Sequence, residues 1–168
     1  MKEQMIIGFI TTPNNQCIGR EDGSFPLHIP EIITFFRSVT TNHSVLMGRK
    51  TWENTLRRMP LPSRVNYVLS EKGNVTPTRD VIPVRSIEHF LDIQPEGKTY
   101  VIGGAETFNG MMPFCDELII NFVKSNPELT GKDIFLNPDL FSNVKLELIE
   151  TVMDHPKYTT EHFKVLDK

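Results

Sequence analysis

Residues 99–107 read TYVIGGAET, a short apolar run that meets two glycines and passes at once into a segment of helical character. Few folds accommodate that arrangement. A buried strand ending in Gly103-Gly104 and opening a helix brings backbone N–H groups to the rim of a sheet. Glycine lets a ligand approach the main chain closely, and a helix start favours phosphate there. Taken alone, the pair also reads as an ordinary tight strand-to-helix turn, and the third glycine of the Rossmann pattern is missing.

A second junction has the same build. The strand Ser44–Met47 ends at Gly48-Arg49-Lys50-Thr51, with a short helix expected over Trp52–Leu56. Arg49 and Lys50 supply positive charge and Thr51 a hydroxyl, although alone such residues are usually surface charges. No GxxxxGK[ST] run exists, so this is not a P-loop. Two phosphate-friendly junctions in one sheet point to one extended ligand carrying several phosphates.

The remaining elements suit an α/β domain. Strands are expected over Met5–Ile10, Val65–Leu69, Val81–Pro83, Glu117–Val123, Leu146–Val152 and His162–Leu166. Helices are expected from Pro30, with Glu31 in the first turn, over Ser86–Leu91, and from the Gly103-Gly104 turn to Met112. Cys17-Ile18-Gly19 reads as the start of an irregular stretch. Early strands alternate with helices and late strands follow one another. That pattern favours a largely parallel sheet covered on both faces, with an antiparallel C-terminal edge. At 168 residues, one domain over 1–168 is expected.

Composition narrows the class. Eighteen basic and 21 acidic side chains leave a formal charge of -3, which gives no general attraction to nucleic acid or anionic lipid. No apolar run approaches the roughly 20 residues of a membrane span, and no signal-peptide cleavage pattern follows the N-terminal strand. The two cysteines, Cys17 and Cys115, are too few for a disulfide scaffold. A cytoplasmic monomer acting on a small molecule is the expectation. No metal is implied: His28, His43, His89, His155 and His162 form no ligand pattern, and Cys17 has no evident base beside it.

The segments IIGFITTPNNQCIG, DGSFPLHIPEIITFF, SVLMGRKTWE, LPSR, NYVLS and VIGGAETF, in that order and spacing, resemble dihydrofolate reductase over almost the whole chain. The resemblance implies a three-layer α/β/α fold with a central mixed eight-stranded sheet and four flanking helices. It implies NADPH-dependent reduction of 7,8-dihydrofolate to tetrahydrofolate. Thr11 would meet the nicotinamide carboxamide, and Ile18 and Gly19 would belong to a mobile loop closing over that ring. Gly48, Arg49, Lys50 and Thr51 would hold cofactor phosphates. Leu69 and Ser70 would flank the adenosine, and Gly103, Gly104, Ala105, Glu106 and Thr107 would cradle the pyrophosphate. Phe9, Ile10, Ile33, Phe36, Leu61 and Ile102 would line the pterin and benzoyl pocket. Arg64 would pair with the α-carboxylate of the folate glutamate, as a planar guanidinium does well.

Three departures cluster at the pterin's polar edge. The family acid lies four residues before the stacking phenylalanine; counting back from Phe36 gives Ile32. Glu31 is one residue away, about 100° round a helix, and serves as the acid only if the helix start is shifted. Asn121 stands where the family has a threonine bonded to that acid, and Leu27 where it usually has tryptophan. On the cofactor side, Glu71 and Glu106 face the expected 2'-phosphate neighbourhood, with Arg49, Lys50 and Arg85 to offset them. NADPH is the expected cofactor, with NADH kept beside it. Two other readings stay open: a reductase of another pterin or pyrimidine heterocycle, favoured by Ile32 and Asn121, and a non-catalytic nucleotide-binding homologue.

Overall fold

Alternation along the first strand decides the layering. In β1 (Gln4–Pro13) successive side chains point to opposite faces. Ile6 and Ile10 enter one apolar cluster, and Ile7 and Phe9 enter another. The computed structural model describes residues 3–166. Its other strands are β2 (Cys17–Arg20), β3 (Ser44–Gly48), β4 (Val65–Leu69), β5 (Val81–Val84), β6 (Gly97–Gly103), β7 (Glu117–Val123), β8 (Asp133–Phe135), β9 (Lys145–His155) and β10 (Tyr158–Leu166). The helices are α1 (Pro30–Thr40), α2 (Ile87–Ile93) and α3 (Ala105–Met111), with a π-helical turn over Thr51–Thr55 and a 3-10 turn over Met112–Phe114.

Eight strands form one sheet in the order β5-β4-β3-β6-β1-β7-β10-β9. Neighbours from β5 to β7 run parallel, and β10 and β9 close the edge antiparallel. Phe35, Phe36 and Val39 of α1 and Trp52 of the π-helical turn pack on the Ile7–Phe9 side. Phe90 of α2 and Phe108 and Met111 of α3 fill the other side. The result is a mixed eight-stranded sheet between two helical layers, as expected from the sequence.

Local reasons account for the element ends. Pro30 begins α1 with its φ already suited to the first turn. Ser86 caps α2, its hydroxyl accepting from the His89 N–H at 3.0 Å. Some expectations differ from the structure. Cys17-Ile18-Gly19 is not irregular: β2 pairs antiparallel with β8 in a small ribbon, with a bulge between Cys17 and Gly19. The segment expected as a short helix at Trp52–Leu56 is a π-helical turn one residue earlier. The two last strands are longer than expected, running Lys145–His155 and Tyr158–Leu166, and β9 shows mostly exposed side chains.

Candidate active site

The two glycine junctions come together because β3 and β6 are adjacent and parallel, with Met47 opposite Gly103. Their C-terminal ends lie on one rim of the sheet, where open α/β sheets bind ligands. Contacts between the junctions are reciprocal. A Cβ placed on Gly48 would lie 2.6 Å from Thr107 Oγ1, and one on Gly104 would lie 3.5 Å from Thr51 Oγ1. Gly103 has φ +137, a conformation open to glycine, and a cis peptide bond joins it to Gly104. Gly104 begins α3 without any side-chain cap, so the first-turn N–H groups of Ala105 and Glu106 have no side-chain partner there. Two hydroxyls and bare backbone therefore share one small cradle, which suits a pyrophosphate.

Around it, Lys50 is exposed. Arg49 is partly exposed and ion-paired with Glu53, which also takes Arg58 Nη2 at 3.0 Å. The Arg58 hydrogen bond, followed by the charge of Arg49, holds the Glu53 carboxyl below its ordinary value. Ser70 is buried with its hydroxyl on Asn74 Oδ1 at 2.7 Å, and Leu69 packs half-buried against the core. Arg85 is exposed, its backbone N–H on His89 Nδ1. Ile18 and Gly19 are half-buried in the β2 ribbon. Replacing Gly48 with alanine forces Thr107 to move. We expect NADPH affinity to fall at least about tenfold, by fluorescence titration, with roughly 1–3 kcal/mol lost in stability.

An apolar wall runs along the α1 side of the sheet. Phe9 meets Phe36 edge-on at 5.2 Å between ring centres, and Leu61 and Ile102 pack half-buried in the same cluster. Such an aromatic pair is worth about 0.5–1.5 kcal/mol beyond burial. Ile33 is exposed on α1, 44% of its surface open. Ile10 does not share this wall. Strand alternation turns it to the opposite face, where it is fully buried among Ile6, Leu118 and Ile120. Its expected place in the pocket lining is corrected to the core behind the sheet.

At the end of the wall, Ile32 is 6% exposed and packs with Ile29, Val123 and Tyr158, against which Leu27 rests. The residue that the sequence spacing expects at the family acid's position is thus an apolar plug. Glu31 is exposed at the first turn of α1. Burial, and then the charge of Glu31, raise the Tyr158 phenol above its ordinary value. Changing Glu31 to Gln should bring the Tyr158 titration down toward that ordinary value in ultraviolet absorbance. An unmoved titration would mean that the carboxylate lies too far away to act on the phenol.

Asn121 is fully buried. Its Nδ2 donates to Thr11 Oγ1 at 3.1 Å, and its Oδ1 accepts from Thr160 Oγ1 at 2.6 Å. Thr160 was not among the residues expected from the sequence. The available signal was its place in a C-terminal strand beside the Asn121 strand, but only the register of β10 against β7 shows that they are partners.

Arg64 is 7% exposed. Its Nε donates to the Pro62 carbonyl and its Nη1 to Thr40 Oγ1, both at 2.9 Å. Thr40 closes α1 by donating to the Phe36 carbonyl at 2.8 Å, which ties the arginine to the helix bearing the aromatic wall. Burial, then the charge of Arg37, pull the guanidinium below its ordinary value. Neither arginine has an acidic partner among the described residues. An open cleft at the N-terminal ends of the parallel strands, lined by Asn42, His43, Ser44, Glu96 and Lys98, includes Arg64 but none of the phosphate-junction residues.

No described group of three His, Cys, Asp or Glu side chains is arranged to hold a metal. No described helix is long and apolar enough to cross a membrane.

Comparisons with known proteins agree with this geometry. The family model described as "Dihydrofolate reductase" matches residues 5–164. A dihydrofolate reductase of Bacillus subtilis is 37% identical over 106 residues, 62% of this chain and 60% of the relative. One from Buchnera aphidicola subsp. Baizongia pistaciae is 30% identical over 170 residues, 98% of this chain and 99% of the relative. The structure of dihydrofolate reductase from Enterococcus faecalis complexed with NADP(H) and RAB-propyl superposes with a TM-score of 0.80. It is 26% identical and covers 97% of each chain. With a family model that spans residues 5–164, nearly the whole sequence, this chain belongs to the dihydrofolate reductase family.

Proposed function

We propose that this chain, as one cytoplasmic, monomeric domain, transfers hydride from NADPH to 7,8-dihydrofolate to give tetrahydrofolate, at a site without the usual acid. The observation that carries the reading is the shared cradle of Gly48, Thr51, Gly103, Gly104 and Thr107, where a single Cβ would intrude. It fits a dinucleotide pyrophosphate. NADPH, when bound, supplies the hydride.

The chain's own residues bind, orient and exclude water. Arg49 and Lys50 add charge at the phosphates, and Ala105 and Glu106 offer backbone N–H groups. Leu69, Ser70 and Arg85 flank the adenosine side, and Thr11, Ile18 and Gly19 the nicotinamide side. Phe9, Leu27, Ile32, Ile33, Phe36, Leu61 and Ile102 form the dry wall against which two rings stack at reacting distance. Arg64 takes the substrate carboxylate. Because isoleucine neither accepts a hydrogen bond nor titrates, water delivers the proton to the pterin.

The test is NADPH oxidation by purified protein on adding dihydrofolate, from weakly acidic to weakly basic pH, with NADH in parallel and Glu31→Ala beside the parent. Turnover kept in the variant assigns the proton to water; turnover lost makes Glu31 a displaced acid. No turnover in a parent that binds NADPH tightly would overturn the assignment in favour of another heterocycle or a binding role.

A further inference from the structure

Three cations gather around the β3 junction: Arg49 and Lys50 at the end of the strand, and Arg58 just beyond the π-helical turn. Lys50 is exposed and makes no ion pair among the described residues. The other two share one carboxylate. Glu53 takes Arg49 Nη1 on one oxygen and Arg58 Nη2 on the other, the second at 3.0 Å. The shared carboxylate is the least exposed of the three, at 21% against 41% for Arg49 and 71% for Arg58.

Arg58 is fixed through its main chain. Its backbone N–H donates to the Trp52 carbonyl at 2.9 Å, from a left-handed φ of +61. Support therefore runs from Arg58 through Glu53 to Arg49. On the chain, Arg49 lies between Gly48 and Thr51, the residues that meet Thr107 and Gly104 across the cradle. Only its Nη1 is engaged; Nε and Nη2 donate to nothing among the described residues, and neither is enclosed. Those two atoms form the planar edge with which a guanidinium grips two oxygens of one phosphate.

We propose that Glu53 is a positioning residue for the cofactor. Braced by Arg58, it holds one side of the Arg49 guanidinium and keeps the free edge ready for a cofactor phosphate. The proposal rests on the reductase reading for its cofactor. It predicts a sign opposite to that of simple charge. Removing a carboxylate beside an anion site should tighten anion binding. Releasing Arg49 means that the cofactor must order a long side chain as it binds, which weakens affinity by up to about tenfold.

The test is NADPH affinity by fluorescence titration in the parent, Glu53→Ala, Glu53→Gln, Arg49→Met and the Arg49→Met/Glu53→Ala double variant. We expect Glu53→Ala to weaken NADPH roughly fivefold, with kcat nearly unchanged, because the phosphates are remote from the reacting carbon. Glu53→Gln, which keeps an acceptor oxygen without the charge, falls between parent and alanine variant. In the Arg49→Met background the sign reverses: Glu53→Ala leaves affinity unchanged or tightens it. A Glu53→Ala protein that binds NADPH as tightly as the parent, or tighter, overturns the proposal. So does equal weakening in both backgrounds, since Glu53 would then act on the fold of the turn and not through Arg49. If the parent binds no NADPH, the reductase reading fails, and inorganic pyrophosphate titrated calorimetrically into the same proteins decides. Weakening by Glu53→Ala that requires Arg49 upholds the relay, and any other result overturns it.

Discussion

Replacing Ile32 with aspartate raises dihydrofolate turnover at neutral pH by roughly a hundredfold, the scale of a positioned acid–base group. On the proposed water route, the parent's turnover should fall about tenfold per pH unit as pH rises, with no enzyme carboxylate in the profile. The variant acquires an inflection. Its carboxyl sits at a position that is 6% exposed among Ile29, Val123 and Tyr158, so burial raises its folded-state pKa above the unfolded value. The sign for stability follows. Below the unfolded pKa both states are neutral and the penalty is small. As pH rises, the unfolded state ionises first, stability falls, and the loss levels off above the folded pKa, at about 3 kcal/mol. Ile32→Asn supplies hydrogen bonds without titration and should show neither inflection. Turnover and thermal melting across pH, on all three proteins, test both arms. An aspartate variant that folds but turns over no faster would show that position 32 does not face the reacting ring.

The parts of this molecule that were legible in the sequence are those set by local chemistry. Gly103-Gly104 and Gly48 announce their junctions because close backbone approach leaves few residue choices, and the structure packs each against the other's threonine. The apolar run at residues 5–10 gives β1 by composition, yet a continuous run does not say which side chains face the pocket. Composition alone groups Phe9 with Ile10, and strand alternation places them on opposite faces. The β2–β8 ribbon is hidden from the sequence for another reason. Cys17 pairs with Phe135, far along the chain, and only tertiary contact supplies that register. Thr160 was invisible on the same ground: as a threonine in a strand it signals nothing until Asn121 is seen opposite it. At Ile32 the family spacing predicts an apolar residue at the acid's position, and what the structure adds is the apolar cluster in which that side chain is buried.

Arg64 is the residue whose loss should discriminate most sharply between substrates. Its guanidinium is held by Thr40 and Pro62, lies near Arg37, and has no described acidic partner, so the proposed substrate carboxylate would relieve a like-charge pair as it binds. Arg64→Gln should raise KM for dihydrofolate roughly a hundredfold, as expected when one partner of a buried charged pair is removed. The turnover number should move little, because the carboxylate is remote from the reacting ring and its contact persists from ground state to transition state. Dihydropteroate, which keeps the ring and lacks the glutamate, is the internal control: its KM should be the same in parent and variant. Arg64→Lys keeps the charge but loses the planar fork, and should fall between the two. Added salt should raise the parent's KM for dihydrofolate more than for dihydropteroate, since only the first binds through a screened charge. If dihydropteroate suffers equally in Arg64→Gln, the arginine acts by bracing the end of α1 through Thr40. The substrate carboxylate must then be held elsewhere, with Arg37 the nearest cation to take it.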